Sequence, residues 1–529
     1  MPSVQVYDTT LRDGSQAEGI SFSCEDKLKI AQRLDKMGFH YIEGGWPGSN
    51  PKDVDFFSRI RSCRLKNARI VAFGSTRKAG TPVENDANVK AILDSGVQVA
   101  TIFGKTWDLH VSKSLGASLE ENLAMIRDTV AYLKSRGLEV HYDAEHFFDG
   151  YKANPAYALE TLRAAEEGGA HVITLCDTNG GSLPWEVKEL VELAAAQLTR
   201  PIGIHAHNDS GMAVANTVTA VRAGAALVQG TVNGYGERCG NADLCSVIPV
   251  LSLKCGIATI APEMLVHLTE MSRFVSEVAN VSPDSRQPFV GASAFAHKGG
   301  VHVSALLKDS KTYEHIDPEA VGNRRRVLVS ELSGMSNLLY KYKEMNLQVD
   351  RGGTEGRRIL EEIKQMENQG FQFEGSEGSF ALLLRKAFDG YREPFSLEAC
   401  RLLVEIKENT PAHSEAIIKM KVGDQTVHTA AEGNGPVNAL DNALRKALKD
   451  FYPSIGSMHL NDYKVRVLDE KDGTGAYVRV HIDTGDGRHS WGTVGVSQNI
   501  IEASWQALAD SIAYGLLKGE NTGLKNGEE

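Results

Sequence analysis

Cysteine is scarce, with seven residues in 529 (Cys24, Cys63, Cys176, Cys239, Cys245, Cys255 and Cys400), an odd number and no C-x-x-C pair. That spacing excludes a disulfide framework and a structural zinc site of the paired-cysteine kind. No uncharged apolar run approaches the ~18 residues that a membrane helix needs. The opening MPSVQVYDTTLRDG lacks a basic stretch followed by an apolar one, so a secretory leader is not expected and the cytoplasm is the default. Positive charge is also in deficit: 57 Lys and Arg stand against 68 Asp and Glu, a net charge of −11. The deficit argues against non-specific binding to nucleic acid or anionic membranes, while leaving room for a local basic pocket. G-x-G-x-x-G is missing from the first strand-to-helix turn, which argues against a dinucleotide-binding open sheet.

The length exceeds what one hydrophobic core supports, so several folding units are expected. Glycine, at 51 residues, is in excess without any G-x-y period, which points to many tight turns. Short β-branched runs occur at 3–8, 40–44, 69–74, 98–104, 138–144, 171–177, 202–207 and 226–233. Each precedes a stretch with apolar residues three and four apart, such as Leu28, Ala31 and Leu34. Gly38, Gly96, Gly137, Gly168 and Gly224 mark expected helix ends. Eight strand–helix units in this length predict an α/β fold, a (β/α)8 TIM barrel over 1–260, with chemistry at the C-terminal ends of the strands. A helical connector is expected over 261–392. An α+β domain over 393–520 is predicted as two tandem βββα units, a duplicated module suited to ligand binding or dimerisation. Residues 521–529 read as a flexible tail.

Several motifs fall at the expected barrel mouth. In IGIHAHND, alternation puts His205 and His207 on one face and Ile202, Ile204 and Ala206 on the other. Two imidazoles at a strand end suit a divalent metal, although an isolated H-x-H equally fits hydrogen-bonded structural histidines. TTLRDGSQ adds the carboxylate of Asp13 and the cation of Arg12, and NGYGERCGNADL adds the amide of Asn241. Read singly, these are a turn and a glycine-rich loop; converging on one mouth, they predict a metal site. Glu145 in YDAEHFFDGY and Thr178 in CDTNGG supply a further acid and hydroxyl.

DTTLRDG at 8–14, HAHND at 205–209 and NGYGERCGN at 233–241 resemble the family of 2-isopropylmalate, homocitrate and citramalate synthases. AFAHKGGVH at 294–302 and TYEHIDPEAVG at 312–322 extend the likeness through the connector, and the βββα pair resembles the family's regulatory domain. The resemblance implies condensation of acetyl-CoA with a 2-oxo acid and hydrolysis of the thioester. Asp13, His205 and His207 match its metal ligands, with Asn241 beside them, for a divalent cation such as Mn, Mg or Zn. Arg12 matches the residue that balances charge on the substrate oxygen. Thr178 matches a hydroxyl that holds the substrate carboxylate, and Glu145 an acid that orients water or the acetyl group. His302 and Tyr313 match connector residues that help move the acetyl methyl proton, reaching a barrel mouth across a homodimer interface. Thr101 stands on the fourth strand where many isopropylmalate synthases have a histidine. HYIEGGWPGSNPKD at 40–53 is closest to a citramalate-forming branch, which makes pyruvate the expected 2-oxo acid, isoleucine the expected effector, and Trp46 a residue that could shorten the pocket. The nearest alternative is a 2-isopropylmalate or homocitrate synthase using another 2-oxo acid. Two further readings are a hydroxymethylglutaryl-CoA lyase-type enzyme and a catalytically silent sensor. The connector and duplicated domain disfavour the first, and the intact Arg12, Asp13, His205 and His207 disfavour the second.

Overall fold

The computed structural model describes residues 3–328, 335–344, 354–386, 391–409, 411–468, 470–487 and 489–523. Eight parallel strands close into a barrel: β1 (Gln5–Asp8), β2 (Tyr41–Gly45), β3 (Arg69–Ser75), β4 (Val99–Lys105), β5 (Glu139–Glu145), β6 (Val172–Asp177), β7 (Ile202–Ala206) and β8 (Leu227–Gly230). Closure pairs Gln5 with Leu227 and Asp8 with Gly230. The predicted barrel is therefore present, with each strand within three residues of its expected bounds.

Local chemistry explains the elements. Ser23 and Asp26 form a reciprocal capping box that opens helix Cys24–Met37, and Gly38 closes it in a left-handed conformation. One expected helix end is corrected. Gly168 lies inside its helix, where a Cβ would meet the Arg127 carbonyl oxygen at 2.8 Å, and Gly169 takes the positive φ of 91°. Close packing claims the first glycine and chain reversal the second. The short helices Phe147–Ala153 and Gly300–Leu306 escaped the periodicity, because seven residues span barely two turns.

Alternation along the strands divides the barrel side chains. Ile202, Ile204 and Ala206 join the helix-packed core, as expected. Inside, Tyr7, Tyr41, Val71, Val99, Val172 and Leu227 form a separate apolar cluster. The interior positions further along the strands are polar: Glu43, Thr101, His141, Thr174 and Gln229 are fully buried.

The chain divides into two compact units. Met1–Phe295 with Glu314–Arg325 form one, and Ala296–Tyr313 with Arg326–Glu529 form the other. The segment expected as one connector is thus shared between them. In the first unit, helix Leu268–Val278 packs Leu268, Met271 and Val275 into the barrel core, joined by Phe289, Phe295 and Val321. In the second, β9 (Ala296–His297) pairs with β10 (Arg326–Val327). Helices Met335–Glu344, Thr354–Asn368 and Glu377–Lys386 enclose Leu338, Ile359, Ile363, Phe380 and Leu384.

The two βββα repeats are present. β11 (Ser396–Glu405), β12 (His413–Val422) and β13 (Gln425–Gly433) form an antiparallel sheet followed by helix Pro436–Leu448. β14 (His459–Val467), β15 (Val478–Gly485) and β16 (Ser490–Ser497) form another, followed by helix Ile500–Gly523. Ile418, Met420 and Leu444 of the first share one core with Val480, Ile482 and Leu508 of the second. Of the tail expected over 521–529, residues 521–523 continue the last helix and 524–529 lie outside the described residues. No helix among the described residues is long and apolar enough to cross a membrane.

Burial raises the Asp510 carboxyl from 3.8 to about 6, against the opposing effects of a Ser379 hydrogen bond and the Lys386 charge. Between about pH 4 and 6 the folded chain holds a proton that the unfolded chain has released, so stability falls as pH rises through this window. Asp510→Asn should remove that cost. Hydrogen exchange in helix Ile500–Gly523 should slow by the equivalent of about 1–2 kcal/mol above pH 6, allowing for partial solvation. Below pH 4 it should be unchanged, and equal slowing at both pH values would contradict the assignment.

Candidate active site at the barrel mouth

The turn after β1 carries Arg12 and Asp13 into the mouth. Its backbone is held by Asp8, whose carboxylate accepts from the Thr10 N–H (3.0 Å) and hydroxyl (2.7 Å). Arg12 Nε donates to Glu43 Oε1 at 2.5 Å, and Nη1 donates to Asp13 Oδ2 at 3.0 Å. Glu43 also accepts from the Tyr7 hydroxyl at 2.5 Å, which in turn meets Thr101 Oγ1 at 2.8 Å. The guanidinium lies 3.8 Å from the centroid of the Phe73 ring. Nη2 has no protein acceptor among the described residues, so one donor edge of Arg12 remains for a substrate oxygen. Burial alone would lower the Arg12 pKa, but Glu43 and then Asp13 raise it above its ordinary value. Removing either carboxylate would leave a buried cation partly uncompensated, at a cost of about 3–5 kcal/mol.

Asp13, His205 and His207 are all buried, and their ligand atoms lie within 4.8 Å of one another. Asp13 Oδ2 is 3.5 Å from His205 Nε2 and 4.0 Å from His207 Nε2. Burial opposes ionisation of Asp13, yet Arg12 and the two histidines hold it down to about 2. Burial lowers His205 to about 3 and also depresses His207, against the pull of Asp13. Both imidazoles are therefore neutral near pH 7, with lone pairs available.

Asn241 reaches this group because its backbone bridges antiparallel to His207 just beyond β7. The helix expected over 241–254 begins only at Leu244, where Asp243 caps it. Asn241 Nδ2 donates to Asp13 Oδ1 at 3.1 Å and to the Tyr235 carbonyl at 3.0 Å, leaving a buried Oδ1 with no donor among the described residues. An orphaned amide oxygen beside a carboxylate and two neutral imidazoles is a donor set that fits a divalent cation. Gly236 makes the fit possible: a Cβ there would lie 2.2 Å from Asn241 Nδ2, at a φ of 155°.

Glu145 and Lys105 are register partners at the ends of β5 and β4, and their side chains form an ion pair. Thr178 Oγ1 accepts from the His146 N–H at 2.9 Å, so its own proton points elsewhere. His146 holds a left-handed conformation, φ 59°, directly after Glu145. Trp46 stands edge-on to Phe73 and Phe103, with centroids 5.8 and 5.5 Å away, and donates from Nε1 to Asn88 Oδ1 at 2.5 Å. His302 and Tyr313 belong to the second unit, where both are exposed and their rings stack at 4.2 Å. The seven cysteines are free thiols, with Cys176 and Cys245 buried and Cys239, Cys255 and Cys400 exposed.

Glu43, Tyr7, Lys105, Gln229 and Asp143 were not anticipated. Their one local signal is polarity at every second position of otherwise apolar strands, in step with the interior face of His205.

A closed parallel barrel with an acid, two histidines and an arginine at its C-terminal mouth defines a metal-fitting α/β-barrel protein. Residues 3–275 match the HMGL-like family, 289–370 a homocitrate synthase post-HMGL domain-like model, and 374–516 the LeuA allosteric (dimerisation) domain. The chain is 56% identical to an (R)-citramalate synthase of Geobacter sulfurreducens over 521 residues, covering 98% of this chain and 99% of that protein. It is 52% identical to one from Aquifex aeolicus over 523 residues, 98% of this chain and 99% of the relative. A probable 2-isopropylmalate synthase of Archaeoglobus fulgidus is 30% identical over 97% of both chains. The chain belongs to the HMGL-like family and, within it, to the family of (R)-citramalate synthases.

Gly236→Ala should push the Asn241 amide away from Asp13 and weaken binding of Mn2+ by on the order of tenfold. Calorimetric titration checks this, and unaltered affinity would separate Asn241 from the cation site.

Proposed function

We propose that this enzyme is an acyltransferase that joins the acetyl group of acetyl-CoA to pyruvate and hydrolyses the resulting thioester, releasing (R)-citramalate and CoA for isoleucine synthesis. The observation that carries the proposal is the buried Asp13–His205–His207 cluster with the open edge of Arg12 beside it. Asp13, His205 and His207, with Asn241, would hold a divalent cation, which when bound supplies Lewis-acid polarisation of the 2-oxo carbonyl.

In the proposed reaction the acetyl methyl loses a proton and its carbon bonds to C2 of pyruvate. The ketone oxygen becomes an alkoxide and takes up a proton. Arg12 offers Nη2 to that developing charge in a site from which water is largely excluded, where a fixed donor is worth most. The Thr178 proton faces the substrate carboxylate, since its oxygen is already committed to His146. Glu145, held by Lys105, orients the acetyl group or the hydrolytic water. Water then adds to the thioester carbon, the C–S bond breaks and the thiol of CoA leaves with a proton. His302 and Tyr313 are assigned to moving the methyl proton. Trp46, Phe73 and Phe103 present an aromatic wall next to Arg12, which favours a 2-oxo acid with the smallest side chain.

The proposed enzyme acts as a cytoplasmic homodimer with isoleucine as effector of the duplicated domain. The match of 374–516 to a domain described as allosteric and dimerising supports this. So do the exposed apolar residues Leu403, Val404, Val465 and Val467 on the edge strands β11 and β14, which a second copy would cover.

Thiol release with acetyl-CoA and a panel of 2-oxo acids tests the substrate. Pyruvate should exceed 2-oxobutyrate, 2-oxoisovalerate and 2-oxoglutarate in kcat/KM by about tenfold or more. A higher value for any of the others would overturn the assignment. Isoleucine should inhibit the full-length enzyme and slow hydrogen exchange within 396–518. Inhibition with exchange altered only in the barrel would move the effector site elsewhere.

A further inference from the structure

We infer that Gln229 fixes the tautomer of His205, and that Asp143 fixes the orientation of Gln229, so that one ligand of the barrel mouth is set before any cation arrives. Both would be positioning residues, and the inference rests on the metal reading above.

The register brings the partners together. His205 on β7 is the strand partner of Gln229 on β8, so their side chains share the interior face. His205 Nδ1 lies 2.9 Å from Gln229 Oε1. Gln229 Nε2 donates to Asp143 Oδ1 at 2.9 Å and lies 3.4 Å from Thr174 Oγ1. Asp143 and Thr174 are themselves register partners on β5 and β6. Four consecutive strands thus contribute one buried layer.

The order of donors follows from the chemistry of each group. An amide NH2 can only donate, and it is this end of Gln229 that meets Asp143 Oδ1. The carbonyl end then faces His205 Nδ1, and that nitrogen must carry the hydrogen. A neutral imidazole has one N–H, which leaves the lone pair on Nε2, the atom facing Asp13 Oδ2. Among the described residues His207 has no such partner: its buried Nδ1 makes no hydrogen bond. The two histidines therefore differ. One tautomer is imposed by the barrel, and the other is left to the ligand. In metal sites such partners of a ligating histidine typically contribute 10–100-fold in affinity.

The test uses full-length, metal-free protein and Mn2+ alone, followed by calorimetry. Gln229→Leu keeps the approximate volume, removes the acceptor and should weaken binding by about 10–100-fold. The double variant Gln229→Glu with Asp143→Asn reverses the polarity of the pair while preserving both hydrogen bonds. It should bind within about threefold of the wild type. Ring-labelled histidine spectra of the metal-free wild type should show His205, identified by its loss in His205→Ala, as the Nδ1–H form. That spectrum stands even if a variant fails to fold. Unchanged Mn2+ affinity in Gln229→Leu, no recovery in a folded double variant, or an Nε2–H form of His205 would each overturn the inference. If the wild type does not bind Mn2+, or His205→Ala binds equally well, the metal reading falls and this inference with it. Tight binding by the wild type, weak binding by His205→Ala and no change in Gln229→Leu overturn the tautomer assignment alone.

Discussion

A guanidinium buried in the barrel mouth constrains most of what surrounds it. Arg12 is largely withdrawn from water, with 14% of its side chain exposed, so Glu43 from β2 and Asp13 from its own turn must supply its counter-charge. Glu43 then needs its second oxygen satisfied, and Tyr7 supplies the hydroxyl while reaching Thr101 on β4. Asp13 faces the two imidazoles and the Asn241 amide. One charge thereby organises residues from five strands or the turns that follow them.

The barrel can carry this polar load because its layers divide the work. The rings of Tyr7 and Tyr41 pack with Val71, Val99, Val172 and Leu227 in an apolar layer, while the two hydroxyls reach Glu43 and Glu139. Further along the same strands, Asp143 and Glu43 are raised above the usual carboxylate range by burial. Their hydrogen bonds to Gln229, and to Tyr7 and Arg12, reduce that cost without abolishing it. Buried polar groups of this kind specify geometry at the expense of stability, which the helix-packed shell around the barrel offsets.

The second unit solves a different problem. Each βββα repeat buries one face of its sheet under a helix, and both helices contribute to a common core. Inward positions alternate along β12 as Ser414, Ala416, Ile418, Met420 and Val422. The first strand of each repeat sits at a sheet edge and stays exposed along most of its length. Duplication thus produces one shared core beneath two open sheets, with β11 and β13 at the edges of the first and β14 and β16 at the edges of the second.

Local order in the chain was enough to determine the barrel, the paired βββα repeats and the cluster of Asp13, His205 and His207. Strand and helix periods, and histidines two apart on a strand, are short-range properties that survive without knowledge of neighbours. The partners of those residues were decided only by tertiary structure. Arg12 meets Glu43 from 31 residues away, Gln229 meets Asp143 from 86, and Asn241 meets Asp13 from 228. Strand register sets such pairings, and a slip of one residue would turn each polar side chain toward the surrounding helices. The same reasoning explains Gly168 and Gly169, which look alike in sequence and differ because Arg127 and Val130 pack against the first. Chemistry could be recognised from residue types and spacing, whereas protonation, tautomer and counter-charge required closure of the barrel.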